Sequence, residues 1–473
     1  MVPRCSIPAI KLCALTALLA TVLVSSGQDS AFAHPLSDVI RLAVGGGHTC
    51  AIDTAAALRC WGENEDGQLG DGTTVDRAVA GDVLGLTTGI AAVVTGASHT
   101  CALTTAGGLK CWGWNRYGQL GNGMLTGLAP NPTPVDVLEA DVAAVAAGGV
   151  HTCSTDTSGG VQCWGRNRFG QVGNGLLCVL CPTPSGVLGL TAPIASVAAG
   201  GKHTCALTEA GELSCWGDNT FGQLGVEAAD VCIDALLEET PCSTTPVAVP
   251  GFVDGVDSVS TGFSHTCIVS GAGRALCWGA NDSGQLGDGT LTSRISPREV
   301  SGLASGVAAV AAGGRHTCAL TGAGSVQCWG ENRAGQLGDG TTTNRAAPVA
   351  VLGLNGVIAV AAGFEHTCAL TSSGEVSCWG TNVFGQLGDG SSSSRTSPVG
   401  VLAERKVALG DVNCDGNVSA TDATLILQLV AGLVSSLLCQ DAADADLSGD
   451  VNAIDATLVL QLTAGLIDTL PVA

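Results

Sequence analysis

Short blocks of small apolar residues punctuate most of this chain, and glycines follow them. Val307-Ala308-Ala309-Val310-Ala311-Ala312 is one block, and Val357-Ile358-Ala359-Val360-Ala361-Ala362 is another. After each comes a segment of the form His-Thr-Cys-Ala-Leu-Thr, then a third ending in Cys-Trp-Gly. Short runs of this kind bounded by Gly turns predict strands rather than helices. The set recurs from His48, His99, His151, His203, His265, His316 and His366, at spacings of 51, 52, 52, 62, 51 and 50 residues. Such a period marks one supersecondary unit built seven times, stacked so that neighbours bury a shared core. Small side chains in the first block suit the crowded inner strand of a radial array.

The cysteines set the hairpin register. If Cys101 faces Cys111, then Ala102 faces Lys110, Leu103 faces Leu109, and Thr105-Ala106-Gly107 is a three-residue loop. That loop wants a left-handed residue third, usually Gly. Six units supply it, at Gly107, Gly159, Gly211, Gly273, Gly324 and Gly374; Ala56 is the departure, so the first hairpin is expected to be strained or differently turned. Opposed residues lie about 4.5–5.5 Å apart at Cα, within disulfide reach. Seven intra-hairpin disulfides follow as expectations: Cys50–Cys60, Cys101–Cys111, Cys153–Cys163, Cys205–Cys215, Cys267–Cys277, Cys318–Cys328 and Cys368–Cys378. The rival reading is metal binding by His-Thr-Cys with the later Cys. A metal would need three or four convergent ligands in every unit.

The repeated His, Trp and Gln face the same test. A functional His should be an exception within its array, and here it recurs in every unit. The expectation is a buried His satisfied by backbone, a Trp wedged between units, and structural Gly-Gln-Leu-Gly turns. The pattern His-Thr-x-Ala-Leu, then Trp-Gly-x-Asn-x-x-Gly-Gln-Leu-Gly-Asp-Gly-Thr, resembles the regulator of chromosome condensation family over about residues 41–400. The resemblance implies an all-β fold, a seven-bladed β-propeller with four strands per blade, assigned here to residues 38–403. Nuclear members of that family act as exchange factors for a small GTPase. The paired cysteines and the N-terminus set this chain apart, so guanine-nucleotide exchange is not carried over. Secreted bacterial members include protein inhibitors, which implies a scaffold used as a binding surface.

Specificity is expected where the repeat breaks. Residues 124–134 lengthen the second unit, Cys178 and Cys181 mark the third, and an insertion at 226–249 with Cys232 and Cys242 lengthens the fourth. The simple reading is two local disulfides, Cys178–Cys181 and Cys232–Cys242. A four-Cys zinc site between adjacent blades is the alternative. No Ser-His-Asp set or paired-carboxylate motif stands out from the repeats.

Beyond a short link at 404–409 the pattern changes to two acidic loops 33 residues apart. The first carries Asp411, Asn413, Asp415, Asn417, Ser419 and Asp422; the second carries Asp444, Asp446, Ser448, Asp450, Asn452 and Asp455. Oxygen ligands at positions 1, 3, 5, 7, 9 and 12, with Gly at 6, form the Ca²⁺ loop of an EF-hand, position 7 donating its carbonyl. Two Ca²⁺ ions are therefore expected. Each loop leads into a helix, and the pair without a preceding helix resembles a type I dockerin over residues 410–470. The resemblance implies docking onto a cohesin module, with contacts at Ala420, Thr421, Ala453 and Ile454, and further candidates at Leu427, Gln428, Leu460 and Gln461. A disulfide Cys414–Cys439 would tie the first loop to the segment before the second.

Composition narrows the setting. Arg4 and Lys11, an apolar run over 12–24 and Ala31-Phe32-Ala33 have the form of a signal peptide, 1–33, cleaved after Ala33. With 22 cysteines, an oxidising compartment fits, and a secreted or surface-attached protein is expected. The net charge of −22 disfavours nucleic acid and anionic lipid, and no later apolar run is long enough for a membrane span. The leading expectation is a binding protein whose propeller takes an unknown protein or glycan ligand. A polysaccharide-degrading enzyme (glycoside hydrolase or lyase) and a secreted inhibitor or adhesin are the alternatives. An enzyme should show acids or His that break the repeat and converge at one mouth of the channel.

Overall fold

The computed structural model describes residues 33–177, 179–227, 230–233, 239–404, 409–413, 417–437, 439–446, 448, 450–467 and 469–470. The signal peptide expected at 1–33 lies, except for Ala33, outside the described residues, as do Cys178, Cys414, Asp415 and most of the 404–409 link.

The sixth blade shows the plan. Val307–Ala312, His316–Thr321, Val326–Gly330 and Arg345–Ala350 form an antiparallel sheet in chain order. Six further sheets follow the same order, giving a seven-bladed β-propeller. The small apolar blocks are the inner strands: Val93, Val145, Val197 and Val259 come together near the axis. The 226–249 insertion adds an outer strand, Asp230–Ile233, paired with Glu239–Ala248.

Every blade draws its four main strands from one continuous stretch, so the ring is not closed by mixing the termini within a blade. A clasp closes it at the edge instead. His34–Pro35 pairs antiparallel with Leu402–Ala403, which runs parallel beside Arg77–Asp82, the outer strand of the first blade. The Leu36 amide donates to the Val401 carbonyl (2.8 Å), and the Glu404 amide donates to that of Ala80 (2.9 Å). Leu36, Ala80, Val401 and Ala403 are buried with Trp61 beneath this clasp.

The hairpin register is the one the spacing dictates: Cys101 opposes Cys111, Ala102 opposes Lys110 and Leu103 opposes Leu109. All seven intra-hairpin pairs are disulfides, with Cα atoms 4.0–4.1 Å apart. That spacing is tighter than expected because each Cys pair occupies the narrow, non-hydrogen-bonded site of the ladder. Cys232–Cys242 is also a disulfide, which removes two ligands from the alternative zinc site. Cys181 and Cys439 are disulfide-bonded; their expected partners, Cys178 and Cys414, lie outside the described residues. Gly107 sits at φ +84°, as its loop requires, and Ala56 is held at φ +59° in the equivalent place.

Each interblade core combines one blade's disulfide with the next blade's Trp. Cys318, Cys328, Leu337 and Val357 pack with Trp379, and Cys267, Cys277, Leu286 and Val307 pack with Trp329. All seven kernel tryptophans are fully buried. Truncating such a side chain to Ala costs about 3–5 kcal/mol.

The C-terminal segment forms α1 (Ala420–Val430) and α2 (Ala453–Thr463). Ala423 and Ile426 of α1 pack with Ala456 and Val459 of α2 and with Val412. Both helices begin with a capping box. Ser419 and Asn452 are the N-caps, and Asp422 and Asp455 reach back from the third helical position.

Candidate functional site

Three arrangements are candidates: the axial ring of histidines, one face of the propeller, and the acidic loops.

The ring is closed. His48 Nε2 meets Thr100 Oγ1 of the next blade at 2.9 Å, and the relation repeats through His99, His151, His203, His265 and His316 until His366 returns to Thr49 at 2.9 Å. Each Thr hydroxyl also donates to a Gln carbonyl of the blade before it, as Thr100 does to Gln68 (2.8 Å). The indole of the same blade donates to that carbonyl too, Trp112 to Gln68 at 2.9 Å. A hydroxyl has one proton, so the imidazole must be the other donor, in its Nε2–H tautomer. Here the structure differs from the expectation of a His satisfied by backbone: the partner is the neighbouring blade's threonine. Burial pushes each imidazole well down, to about 3 or about 4, so the ring is neutral. Their Nδ1 atoms have no hydrogen-bond partner in the protein. The rings pack on glycines: a Cβ at Gly313 would lie 2.6 Å from His316 Cε1. At the axis, backbone of all seven blades leaves a constriction of about 100 Å³. This is a cooperative interblade seam of neutral imidazoles.

The face is built from two columns the repeat leaves variable. One is the residue before each His; the other lies in Trp-Gly-x-Asn-x-x-Gly. A backbone hydrogen bond joins them in every blade, as from Glu63 to Gly47, Trp114 to Ser98 and Arg166 to Val150. The invariant Asn holds the loop rigid: Asn332 Oδ1 accepts from the Leu337 amide, and its Nδ2 donates to the carbonyls of Thr341 and Thr343. Outside the kernel tryptophans and Phe32, eight aromatics remain in the chain. Seven stand in or beside these columns: Trp114, Tyr117, Phe169, Phe221, Phe263, Phe364 and Phe384; Phe252 does not.

Charge is divided across this face. On the second to fourth blades, Arg166 lies 4.8 Å and Arg116 5.8 Å from the Tyr117 ring centre, and Lys202 lies 4.7 Å from that of Phe169. Trp114 meets Tyr117 edge-on at 5.3 Å. On the first blade, Glu63, Glu65, Asp66 and Asp76 cluster. Burial, then the charges of Asp76, Asp66 and Glu65, pushes the Glu63 carboxyl up to about 7. Reading the kernel for what repeats missed these residues. Aligning the seven units and reading the columns that vary would have found them.

In the second acidic loop, carboxylate oxygens of Asp444, Asp446 and Asp455 come within 4.8 Å of one another. Three convergent carboxylates suit a hard divalent cation such as Ca²⁺. The Ser448 amide donates to Asp444 (3.0 Å) and Asp446 (2.9 Å), and the hydrogen bonds from Ser448 hold the Asp446 carboxyl below its ordinary value. Asp455 accepts from the Asp446 and Asn452 amides, linking loop to helix start. Ser448 and Asp450 stand exposed on the loop. In the first loop, Asp411 and Asp422 are buried. Asp422 accepts from the Val412, Asn413 and Ser419 amides. Asn413 and Asn417 lie on the same loop, and Asp415 lies outside the described residues.

On the helices, Ala420, Thr421, Ala453 and Ile454 are exposed, as are Leu427 and Leu460, while Gln428 and Gln461 are half-buried. Thr424 and Thr457 extend the same solvent-facing stripes.

These features define a disulfide-stapled propeller followed by a double loop–helix module. Residues 21–308 match the profile described as the RCC1-like domain. Regulator of chromosome condensation (RCC1) repeats match at 307–336, 323–370 and 357–386, and a dockerin type I domain matches at 409–462. The chain belongs to the RCC1-like family. It is 34% identical over 326 residues to the ultraviolet-B receptor UVR8 of Arabidopsis thaliana, covering 67% of this chain and 70% of that protein. It is 30% identical over 365 residues to the secretion-regulating guanine nucleotide exchange factor of Bos taurus, covering 69% and 75%. Human WBSCR16 shares the fold, with a TM-score of 0.63 at 24% identity over 71% of this chain and 87% of that one. Among the described residues, no helix is long and apolar enough to cross a membrane.

Proposed function

We propose that this protein is a secreted binding component: the C-terminal module anchors it to a cohesin through two Ca²⁺ ions, and the propeller presents a ligand-binding face. The carboxylate triad of Asp444, Asp446 and Asp455, at the head of a capped helix in a dockerin type I match, carries this reading. Asp411, Asn413, Asp415, Asn417, Ser419 and Asp422 would hold the first ion, and Asp444, Asp446, Ser448, Asp450, Asn452 and Asp455 the second. The exposed stripes through Thr421 and Ile454 would meet the cohesin. Extracellular placement is supported by the disulfides. The test is retention of the full chain on immobilised type I cohesins. Retention in Ca²⁺ and release by a chelator are expected; indifference to both would defeat the reading.

One observation favours a second reading, polysaccharide cleavage. Glu63, pushed up to about 7 by burial and by the charges of Asp76, Asp66 and Glu65, is a candidate general acid in an acidic cluster of the kind that cleaves glycosidic bonds. Release of reducing or unsaturated ends from a polysaccharide panel, abolished by Glu63→Gln, would support it; no release would leave the binding reading alone.

A further inference from the structure

We propose that the basic–aromatic sector on the second to fourth blades docks an acidic segment of a protein partner. This rests on the reading of the propeller as the ligand-presenting part.

The chain is strongly acidic overall, so carboxylates outnumber the positive groups available to them. Most described arginines are accordingly paired, as Arg77 is with Asp71, Arg294 with Asp288, Arg345 with Asp339 and Arg395 with Asp389. Arg116, Arg166 and Lys202 have no carboxylate partner among the described residues. What holds each is aromatic: Arg116 and Arg166 share the Tyr117 ring, and Lys202 stands over Phe169, which follows Arg166 in the third blade. The Nε of Arg166 is buried and has no acceptor.

A cation held over a ring face is attracted by the ring quadrupole, and it has more N–H donors than the ring can engage, three on Lys and five on Arg. The rings therefore fix the guanidinium positions in advance and lower the ordering cost when a carboxylate arrives. The loops beneath are rigid. The Tyr117 amide is held by Gln119 at 3.0 Å and the Leu120 amide by Asn115 at 3.1 Å.

The occupant follows from charge and shape. Three free cations call for an anion bearing several carboxylates. A glycan of acidic sugars would stack on a ring placed beside the cations, and the two rings so placed, Tyr117 and Phe169, already carry them. Arg, Tyr and Trp together, rimmed by the exposed Phe221 and Phe263, have the composition of a protein-interface hot spot. An acidic peptide segment fits both requirements.

The test uses the full chain with Ca²⁺ and a fluorescein-labelled Glu-rich peptide followed by anisotropy. Its Gln-for-Glu counterpart and oligogalacturonate of equal carboxylate number are the comparison arms. Saturable binding of the Glu peptide is expected, weakening with salt, with roughly tenfold loss in Arg166→Glu and in Lys202→Glu. Arg298→Glu, a reversal on an outer strand, should change affinity less than twofold by the same reasoning. Arg166→Gln gives a milder variant if the reversal disturbs folding, which tryptophan emission checks. Equal binding of the Gln peptide, no effect of either reversal, or tighter binding of oligogalacturonate would overturn the proposal. Cohesin retention is measured on the same samples, so failure of the peptide arm alone leaves the anchoring reading intact.

Discussion

Lowering the pH from 7 to 4.5 should unfold the propeller, through the seven axial histidines. Each is buried in the folded ring, and its pKa falls from 6.5 to about 3 or about 4. In the unfolded chain the same groups regain their ordinary affinity for protons. The stabilising contribution is complete above pH 6.5 and is lost as pH falls toward the folded values. Each group then contributes a slope of about 1.4 kcal/mol per pH unit. Seven acting together give about 10 kcal/mol per pH unit, against a total stability of about 5–15 kcal/mol for a typical domain. The ring should therefore fail near pH 5. Glu63, raised to about 7, and Asp66 and Asp76, also raised by burial, work in the opposite direction, as three groups against seven. Asp288, Asp339 and Asp389 titrate below their ordinary 3.8 and act only under this window. The assay is guanidinium unfolding at a series of pH values, followed by tryptophan emission. All eight tryptophans lie within the propeller, so the C-terminal module is silent. A denaturation midpoint that stays constant between pH 6.5 and 4.5 would refute the buried neutral ring.

Ala56→Gly should stabilise the first blade by about 1 kcal/mol, because Ala is held in a left-handed conformation that Gly adopts without strain; thermal unfolding checks it. Removing both partners of Cys318–Cys328 should cost about 3 kcal/mol, the loop-closure value for a ten-residue separation, read as a lower guanidinium midpoint. Asp446→Asn should reduce Ca²⁺ stoichiometry from two to one in calorimetry, since it removes one of three converging carboxylates; unchanged uptake would place the second ion elsewhere.

Much of the architecture was legible because period is a global signal. The ten-residue Cys spacing and the Gly at the third loop position sufficed to place the Cys101–Cys111 register. The misfit of Ala56 was visible as a broken column, and it emerged as a positive φ. The partner of each His was not legible: Thr100 lies 52 residues from His48 and becomes its neighbour only when blades stack. The clasp of His34–Pro35 with Leu402–Ala403 was hidden for the same reason, being two residues long and paired across the whole ring. The candidate face escaped because it is written in residues that do not repeat, such as Arg116, Tyr117 and Arg166. Their convergence is a property of the stacked blades, and no single unit carries it.

The central claim is that this scaffold is anchored by a calcium-dependent module, and calorimetric titration of a type I cohesin into the full chain tests it most directly. One cohesin bound per chain in Ca²⁺ is expected, with no heat in chelator and no heat when Asp411→Asn and Asp444→Asn are combined. Binding of the same strength without Ca²⁺, or no binding to any type I cohesin with it, would contradict the account.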